Sequence, residues 1–204
     1  SSGASLGVGI YIVLGISIPV VGNLAMPIIG FLCGVLTVFA VIIFSNKVDR
    51  GLSNNTVILA GMVLSLFTSA MLTTITALCS EDIKAITMWQ MGSFAMKSWS
   101  YVLAGIPFFI IGIFMAVTYT REMDILSFGE DGAKAIGVET KKVKKILLVS
   151  VAILTGSAVA LSGVIGFIDL ITPHIVRKIF GSNHKIVIPM CIILGGTLMV
   201  LTDL

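Results

Sequence analysis

Charged residues are scarce in this chain. Of its 204 residues only 13 are basic and 10 acidic, so 11% are charged, against about 25% in soluble domains. A water-facing surface needs roughly a quarter to a third of its exposed positions charged. Because 57% of the residues are hydrophobic and the mean hydropathy is +1.11, we predict that the chain faces lipid. This composition excludes a disordered protein, a coiled coil and a secreted disulfide scaffold.

Recognisable catalytic patterns are also missing. The three cysteines, Cys33, Cys79 and Cys191, lie far apart in apolar segments, which favours buried packing over a metal or redox site. The sequence contains no GxxxxGK[ST], HExxH or GxSxG motif. We therefore predict that the chain is not an enzyme, has no cofactor or metal of its own and does not bind nucleic acid. Its energy source must lie in another protein.

Long uncharged stretches dominate the sequence. About 20 apolar residues cross the ~30 Å core of a bilayer as a helix. Five stretches have this length, at residues 4–21, 27–45, 56–80, 99–120 and 146–162, and a sixth, 186–202, ends two residues before the end of the chain. Residues 163–180 are apolar but broken by Gly166, Asp169 and Pro173. Since the runs lack the two-residue alternation of a membrane barrel, the fold is predicted to be all-α, a polytopic membrane helix bundle.

The basic residues orient these helices. If residues 163–180 form a short seventh crossing, 11 of the 13 basic residues lie on one side, and only Lys84 and Lys97 lie opposite. If that segment stays outside, the division is eight against five. The positive-inside bias favours seven crossings, with the loop of residues 121–145 in the cytoplasm. We expect a single transmembrane domain over residues 1–204, and we expect it to be a fragment of a longer membrane protein.

The loop of residues 121–145 carries helix signals. Ser127 and Glu130 have the spacing of a capping box, which predicts a helix from Phe128, and Gly137 can end it in a left-handed turn. Three small residues give that helix a face with little side-chain bulk: Gly132, Ala133 and Ala135. The pattern fits a docking helix for a cytoplasmic partner and a solvated loop helix about equally well.

A stripe of small and hydroxyl residues marks the stretch at 56–80. Its members are Gly61, Ser65, Ser69, Thr73 and Thr76, which occupy about 120° of a helix. Such a stripe packs against another helix or lines a polar path, and packing is the favoured interpretation. The long stretches hold almost no ionisable groups, which argues against the alternative function, a secondary transporter driven by an ion gradient. For His174, a structural hydrogen bond is favoured over proton transfer.

Several motifs, in order along the whole chain, resemble the FecCD family, the permease subunits of type II ABC importers. Residues 128–138 resemble its G-E-x-x-A-x-x-x-G coupling loop, and GFIDLITPHIVR at residues 166–177 resembles its signature G-F-[IV]-G-L-[IV]-x-P-H-[IL]-x-R. Trp89 with Gly92 and Ser93 is similar to its outer W-x-x-G-S, whereas Asp169 stands where the family usually has glycine. The chain would correspond to spans three to nine of ten.

The resemblance implies a permease subunit of an ATP-driven importer that carries iron-siderophore, haem or cobalamin complexes across the bacterial cytoplasmic membrane. Its implied partners are a second permease subunit, ABC ATPase subunits that bind the ATP on the cytoplasmic side, and an extracytoplasmic substrate-binding protein. The implied ATPase-coupling residues are Gly129, Glu130, Ala133 and Gly137. The stripe from Gly61 to Thr76 becomes the translocation pathway, and Pro173, His174 and Arg177 belong to the structural signature.

Overall fold

Ten α-helices make up the described parts of the chain. The structure is a computed structural model that describes residues 2–15, 25–49, 51–79, 83–94 and 99–203. In chain order the helices are α1 (Ser2–Val13), α2 (Ala25–Val48), α3 (Asn54–Leu78), α4 (Ile83–Met91), α5 (Trp99–Thr118), α6 (Thr120–Leu126), α7 (Glu130–Ala135), α8 (Thr140–Ser162), α9 (Ile168–Phe180) and α10 (His184–Asp203). Within these ranges, α2, α3, α5, α8 and α10 are long and apolar enough to cross a membrane. The prediction of an all-α membrane bundle is confirmed.

The uncharged stretches and the helices agree in most places. The stretches at 27–45, 56–80, 99–120 and 186–202 correspond to α2, α3, α5 and α10, whereas α8 begins six residues before its stretch, among lysines. Helix α1 has 12 residues, and residues 16–21 of the first predicted span lie outside the described residues. In the broken segment, α9 has 13 residues, so the helix is short as expected, and its crossing of the bilayer stays a prediction.

The chain divides into two compact units. Unit 1 consists of Ser1–Gly112 and Leu148–Val164, and unit 2 of Ile113–Leu147 and Ile165–Leu204. Helices α1 to α4 lie in unit 1, whereas α6, α7, α9 and α10 lie in unit 2. Helices α5 and α8 each contribute residues to both units. The expectation of a single domain stays a prediction.

Glycines let α1 approach α2 closely in unit 1. A Cβ added at Gly3 would collide with the side chain of Thr37, and one at Gly7 would collide with that of Cys33. Their four-residue spacing places both on one face of α1. Small residues at this spacing are typical of membrane helices that pack through their backbones. The face of α1 with Gly3 and Gly7 therefore holds α1 against α2.

Replacing Gly7 with isoleucine is expected to destabilise unit 1, because the added carbons have no room beside Cys33. Overpacking of this kind typically costs about 1–3 kcal/mol. The matched control is Gly196→Ile in α10, where an added Cβ has no heavy atom within 4 Å. Thermal unfolding in detergent should show a lower midpoint for the first variant only. Equal midpoints for the two variants would contradict the α1–α2 contact.

Helices α5 and α8 also pack through glycine in unit 1. Gly105 and Gly112 lie seven residues apart on α5, and an added Cβ at either would lie 2.5 Å from a leucine of α8, Leu161 and Leu154 respectively. The buried hydroxyl of Ser150 donates a hydrogen bond of 2.8 Å to the carbonyl of Gly112. This bond satisfies a hydroxyl that would otherwise be unpaired in an apolar environment.

The chain after α4 docks on the end of α8. The backbone N–H of Ser93 donates to the carbonyl of Ser162 at 2.9 Å. Next to it Gly163 has φ +80°, and an added Cβ would lie 2.6 Å from the carbonyl oxygen of Trp89 and 2.7 Å from the Cα of Gly92. Only glycine fits this backbone conformation and this spacing. The W-x-x-G-S motif is therefore fastened to the C-terminal end of α8.

Candidate coupling site

The segment that resembles a coupling loop folds as two short helices in unit 2. Helix α6 ends at Leu126, and the hydroxyl of the next residue, Ser127, donates to the carbonyl of Asp124 at 2.6 Å. Gly129 then adopts φ +110°, and α7 begins at Glu130 without a side-chain cap. The predicted capping box is therefore wrong, because Ser127 closes α6, and the helix starts two residues later than Phe128.

The end of α7 agrees with the prediction made for Gly137. Its φ is +84°. Its N–H donates to the carbonyl of Lys134 at 3.0 Å, and the N–H of Val138 donates to that of Ala133 at 3.0 Å. These two bonds form a Schellman motif, which satisfies carbonyls that the helix end leaves free. The turn leads directly to α8, which begins at Thr140.

A largely buried ion pair joins α7 to α8. The ammonium of Lys144 contacts Oε1 of Glu130, and the two side chains are 10% and 26% exposed. Thr140 and Val143 beside it on α8 are buried as well. Because Glu130 is the first residue of α7 and Lys144 lies in the second turn of α8, the pair fixes one helix to the other. We call this pair the α7–α8 clamp.

Ala133 faces the interior of unit 2. Its exposed fraction is 0%, although the resemblance implies a coupling position for it. The structure gives Ala133 a packing position, where a small side chain lets α7 lie close to the rest of the unit. A direct contact between Ala133 and a partner would require α7 to detach. The part of Ala133 in coupling stays a prediction. Its burial in unit 2 is a structural reason for a small side chain at this position.

Two large apolar side chains flank the outer surface of α7. Phe128 is 88% exposed and Ile136 is 69% exposed, while Gly132 between them is exposed too. Lys134 and Asp131 form an exposed ion pair of 3.7 Å on this surface. Exposed apolar groups with a polar rim are typical of protein interaction sites. Phe128 and Ile136 were not among the site residues predicted from the sequence, although two bulky residues at the ends of a helix of small residues were a usable signal.

Asp124 links α6 to the start of α10. The backbone N–H of His184 donates to Oδ1 of Asp124 at 2.9 Å, and the ring Nδ1 lies 2.5 Å from the same oxygen. The backbone hydrogen bond first, and then the ring, hold the pKa of Asp124 below its ordinary value of 3.8. Asn183 provides the local cap, since its Oδ1 accepts from the N–H of Lys185 at 3.0 Å. The position of α6 is thus fixed to α10.

Replacing Asp124 with asparagine is expected to make the protein less stable at neutral pH and to flatten its acid sensitivity. Because folding lowers the pKa of Asp124, its charged form contributes stability that is present above pH 3.8 and is lost as the pH falls further. The difference in unfolding midpoint between wild type and Asp124→Asn should therefore shrink below about pH 4. Asp131→Asn is the control, because Asp131 is fully exposed. A constant difference down to pH 2 would contradict the assignment.

The signature residues lie on α9 with differing exposure. Pro173 is half-buried inside the helix, whereas His174 and Arg177 are exposed. Thr172 beside them is buried and packs against Gly195 of α10. The structural hydrogen bond expected of His174 stays a prediction. The structural role of the three signature residues stays a prediction.

The stripe on α3 lies beside the packing face of that helix. Ala60, Thr68 and Leu72 are buried, and α3 contacts α1 and α2. Of the stripe residues, Ser65, Ser69 and Thr73 are exposed, while Gly61 and Thr76 are half-buried. Ser65 donates a hydrogen bond of 3.1 Å to the hydroxyl of Ser2. Most of the stripe is uncovered within the described part of unit 1, and both its packing and its pathway role stay predictions.

The described residues show no metal centre. Among them, no three His, Cys, Asp or Glu side chains lie together in a way that could hold a metal ion. Unit 1 has an apolar cleft of about 290 Å³ between α2, α5 and α8, with Phe31, Phe108 and Leu161 in its walls. In unit 2 two partly buried contacts join ionisable side chains instead, the α7–α8 clamp and the Asp124–His184 contact, and both position helices.

Comparison with known proteins shows the family of the chain. The model of the FecCD transport family matches residues 1–204. The ABC transporter permease protein YvrB of Bacillus subtilis is 38% identical over 204 residues, which are 100% of this chain and 58% of that protein. The hemin transport system permease protein HmuU of Yersinia pestis is 32% identical over 203 residues, 99% of this chain and 60% of that protein.

A solved structure has the same fold. It shows an inward-facing conformation of a metal-chelate type ABC transporter, with a TM-score of 0.89 and 30% identity, and the match covers 99% of this chain and 63% of that one. The chain thus spans about three fifths of the length of these relatives. With the family model matched from end to end, the resemblance seen in the sequence is confirmed, and the chain belongs to the FecCD transport family.

Proposed function

We propose that this chain is the larger part of a permease subunit in an ATP-driven importer of the bacterial cytoplasmic membrane. The cargo would be an iron-siderophore, haem or cobalamin complex. Family membership and the similarity to a hemin permease support this proposal. The observation that carries it is the mounting of α7, which is locked to α8 on one side and presents Phe128 and Ile136 on the other.

The proposed mechanism transmits force through α7. An ABC ATPase subunit binds the surface with Phe128 and Ile136 on the cytoplasmic side, and ATP is bound by that partner. When the ATPase dimer closes, it moves α7. The α7–α8 clamp passes the motion to α8, which is 23 residues long. Helix α6, which comes just before α7 in the chain, passes it to α10 through the Asp124–His184 contact. Both links join charged or polar side chains that are at least partly buried.

The proposed pathway uses the stripe on α3. Three of its four hydroxyl residues are exposed in unit 1, and some donate to their own helix, as Thr73 does to the carbonyl of Ser69 at 3.0 Å. A path of this kind has no strongly binding group, so specificity would reside in an extracytoplasmic substrate-binding protein. A second permease subunit, identical or different, would complete the path. Family membership favours this importer over a secondary transporter driven by an ion gradient.

Replacing Ser69 with tryptophan in the assembled importer is expected to reduce ATP-driven uptake at least tenfold, because the indole would obstruct the pathway. Ala70→Trp is the matched control, since Ala70 is also exposed, is similar in size to serine and lies about 100° away around the helix. Uptake of radiolabelled ferric siderophore by vesicles, with ATPase co-purification as an assembly check, measures the effect. Full uptake with Ser69→Trp would remove Ser69 from the pathway.

A further inference from the structure

A basic cleft of about 650 Å³ lies where α7 is followed by α8 in unit 2. Its walls carry four lysines, Lys134, Lys141, Lys142 and Lys145, and one acidic residue, Glu139. Ile146 forms an apolar wall at one end. The function proposed above uses Lys134 only as part of the outer surface of α7, and it gives no role to the other three lysines. We call this feature the basic cleft.

The positive charge of the basic cleft is poorly compensated within the protein. Among the described residues, Lys141, Lys142 and Lys145 form no ion pair. Lys134 contacts only Asp131, which is fully exposed and 3.7 Å away, and such surface pairs contribute little. Lys144, in the same run, turns inward to Glu130 instead. Lys144 is therefore buried and paired, whereas the four lysines of the basic cleft are exposed.

The basic cleft lies at the level of the lipid headgroups along the axis of α8. Ile146 begins the uncharged stretch of residues 146–162, which is the part of α8 long enough to lie in hydrocarbon. A helix rises about 1.5 Å per residue, so Lys142 and Lys145 lie within roughly 6 Å of Ile146 along the axis. Lysines in this position reach toward the phosphate layer. Clusters of four or more basic residues beside a membrane helix on its cytoplasmic side are typical of anionic lipid binding.

We propose that the basic cleft binds the phosphate of an anionic phospholipid from the cytoplasmic leaflet. The proposal rests on the function given above, because it needs α7 on the cytoplasmic side. The apolar wall at Ile146 favours a lipid over free phosphate, since a lipid also covers apolar surface there. Lys134 belongs to α7 and the other three lysines to α8, so one bound headgroup bridges the two helices. It acts beside the α7–α8 clamp as a second, lipid-dependent link.

The test measures lipid binding by the complete permease in detergent, without its ATPase. Native mass spectrometry follows titration with phosphatidylglycerol, with phosphatidylcholine and with phosphatidylglycerol in the presence of millimolar inorganic phosphate. Lys141→Gln/Lys145→Gln is expected to weaken phosphatidylglycerol binding about 30-fold, from the contribution of two charges near the surface. The matched control is Lys178→Gln/Lys185→Gln, which removes two exposed lysines of α9 and α10. It should leave the affinity within about twofold, and phosphatidylcholine should bind weakly to all variants.

Three results would overturn the proposal. Equal losses in both double variants would mean a general surface charge effect. Full displacement of the lipid by inorganic phosphate would mean a free phosphate site. Unchanged lipid binding in Lys141→Gln/Lys145→Gln would mean that these lysines do not bind the lipid. Reduced co-purification of the ATPase with that variant, measured separately, would then mean that the lysines contact an acidic ATPase surface. Because the affinity is measured on the permease alone, a failure here is distinct from a failure of the importer function, which the Ser69→Trp uptake assay tests separately.

Discussion

Replacing Lys144 with glutamine is expected to reduce ATP-driven uptake at least tenfold while ATPase binding changes little. The change leaves the carboxylate of Glu130, which is 26% exposed, without its partner in a low-dielectric setting. Removing one member of a fully buried pair costs roughly 3–5 kcal/mol, and we expect about 2 kcal/mol here because Glu130 is partly hydrated. With the clamp open, α7 can follow the ATPase without moving α8, so ATP hydrolysis should continue while transport falls.

The double variant Glu130→Gln/Lys144→Gln distinguishes two effects of Lys144→Gln. One is the loss of the α7–α8 clamp, and the other is the cost of leaving the carboxylate of Glu130 unpaired. Two amides can hydrogen-bond in the same place, so the double variant should recover much of the stability that Lys144→Gln loses, and the coupling energy of the cycle measures the pair. Lys178→Gln, which removes an exposed lysine of α9, is the control. Equal uptake in Lys144→Gln and Lys178→Gln would show that the pair has no part in coupling.

Replacing Gly163 with alanine is expected to detach the segment after α4 from the end of α8. The new Cβ would lie 2.6 Å from the carbonyl oxygen of Trp89 and 2.7 Å from the Cα of Gly92, both backbone atoms. A left-handed conformation costs a non-glycine residue roughly 1–2 kcal/mol, and the steric overlap adds to this. We expect a loss of about 3 kcal/mol in stability, and faster proteolysis between α4 and α5.

Variants of two other glycines distinguish the conformational cost from the steric overlap in that loss of stability. Gly137 has φ +84° but no heavy atom within 4 Å of an added Cβ, so Gly137→Ala should show the conformational cost alone. Gly166 has neither feature, so Gly166→Ala should have little effect. Thermal unfolding of the three variants should therefore give the order Gly163, Gly137, Gly166 from largest to smallest loss. Similar losses for Gly163→Ala and Gly137→Ala would contradict the contact with Trp89 and Gly92.

The long helices could be predicted from the sequence because two constraints act on each span by itself. A span must be long enough to cross the hydrocarbon core of the bilayer, and it must exclude charged residues. Stretches 27–45 and 56–80 lie inside or within two residues of the ends of α2 and α3. Helix α4 was missed, since nine residues with mixed polarity carry no length signal. The capping-box prediction failed because the Ser127 hydroxyl donates to a carbonyl three residues earlier, a local bond that competes with capping.

The contacts of the coupling site were harder to predict because they join distant residues. Lys144 is one of four lysines among residues 141–145, and composition does not distinguish the one that turns inward. The burial of Thr140, Val143 and Ser150 shows that a helical period could have placed Lys144 near the inner face. Nothing in the sequence paired Asp124 with His184, 60 residues later. The motif order indicated the family, and the three-dimensional structure supplied the links.

The most direct test of the coupling role determines on which side of the membrane a labelling reagent reaches the surface of α7. Ile136→Cys, at a site that is 69% exposed, is introduced into a complete permease whose native cysteines are replaced by alanine. A membrane-impermeant maleimide should label it only after intact cells are permeabilised, whereas Met91→Cys, 75% exposed in α4, should be labelled in intact cells. Labelling of Ile136→Cys in intact cells would contradict the account.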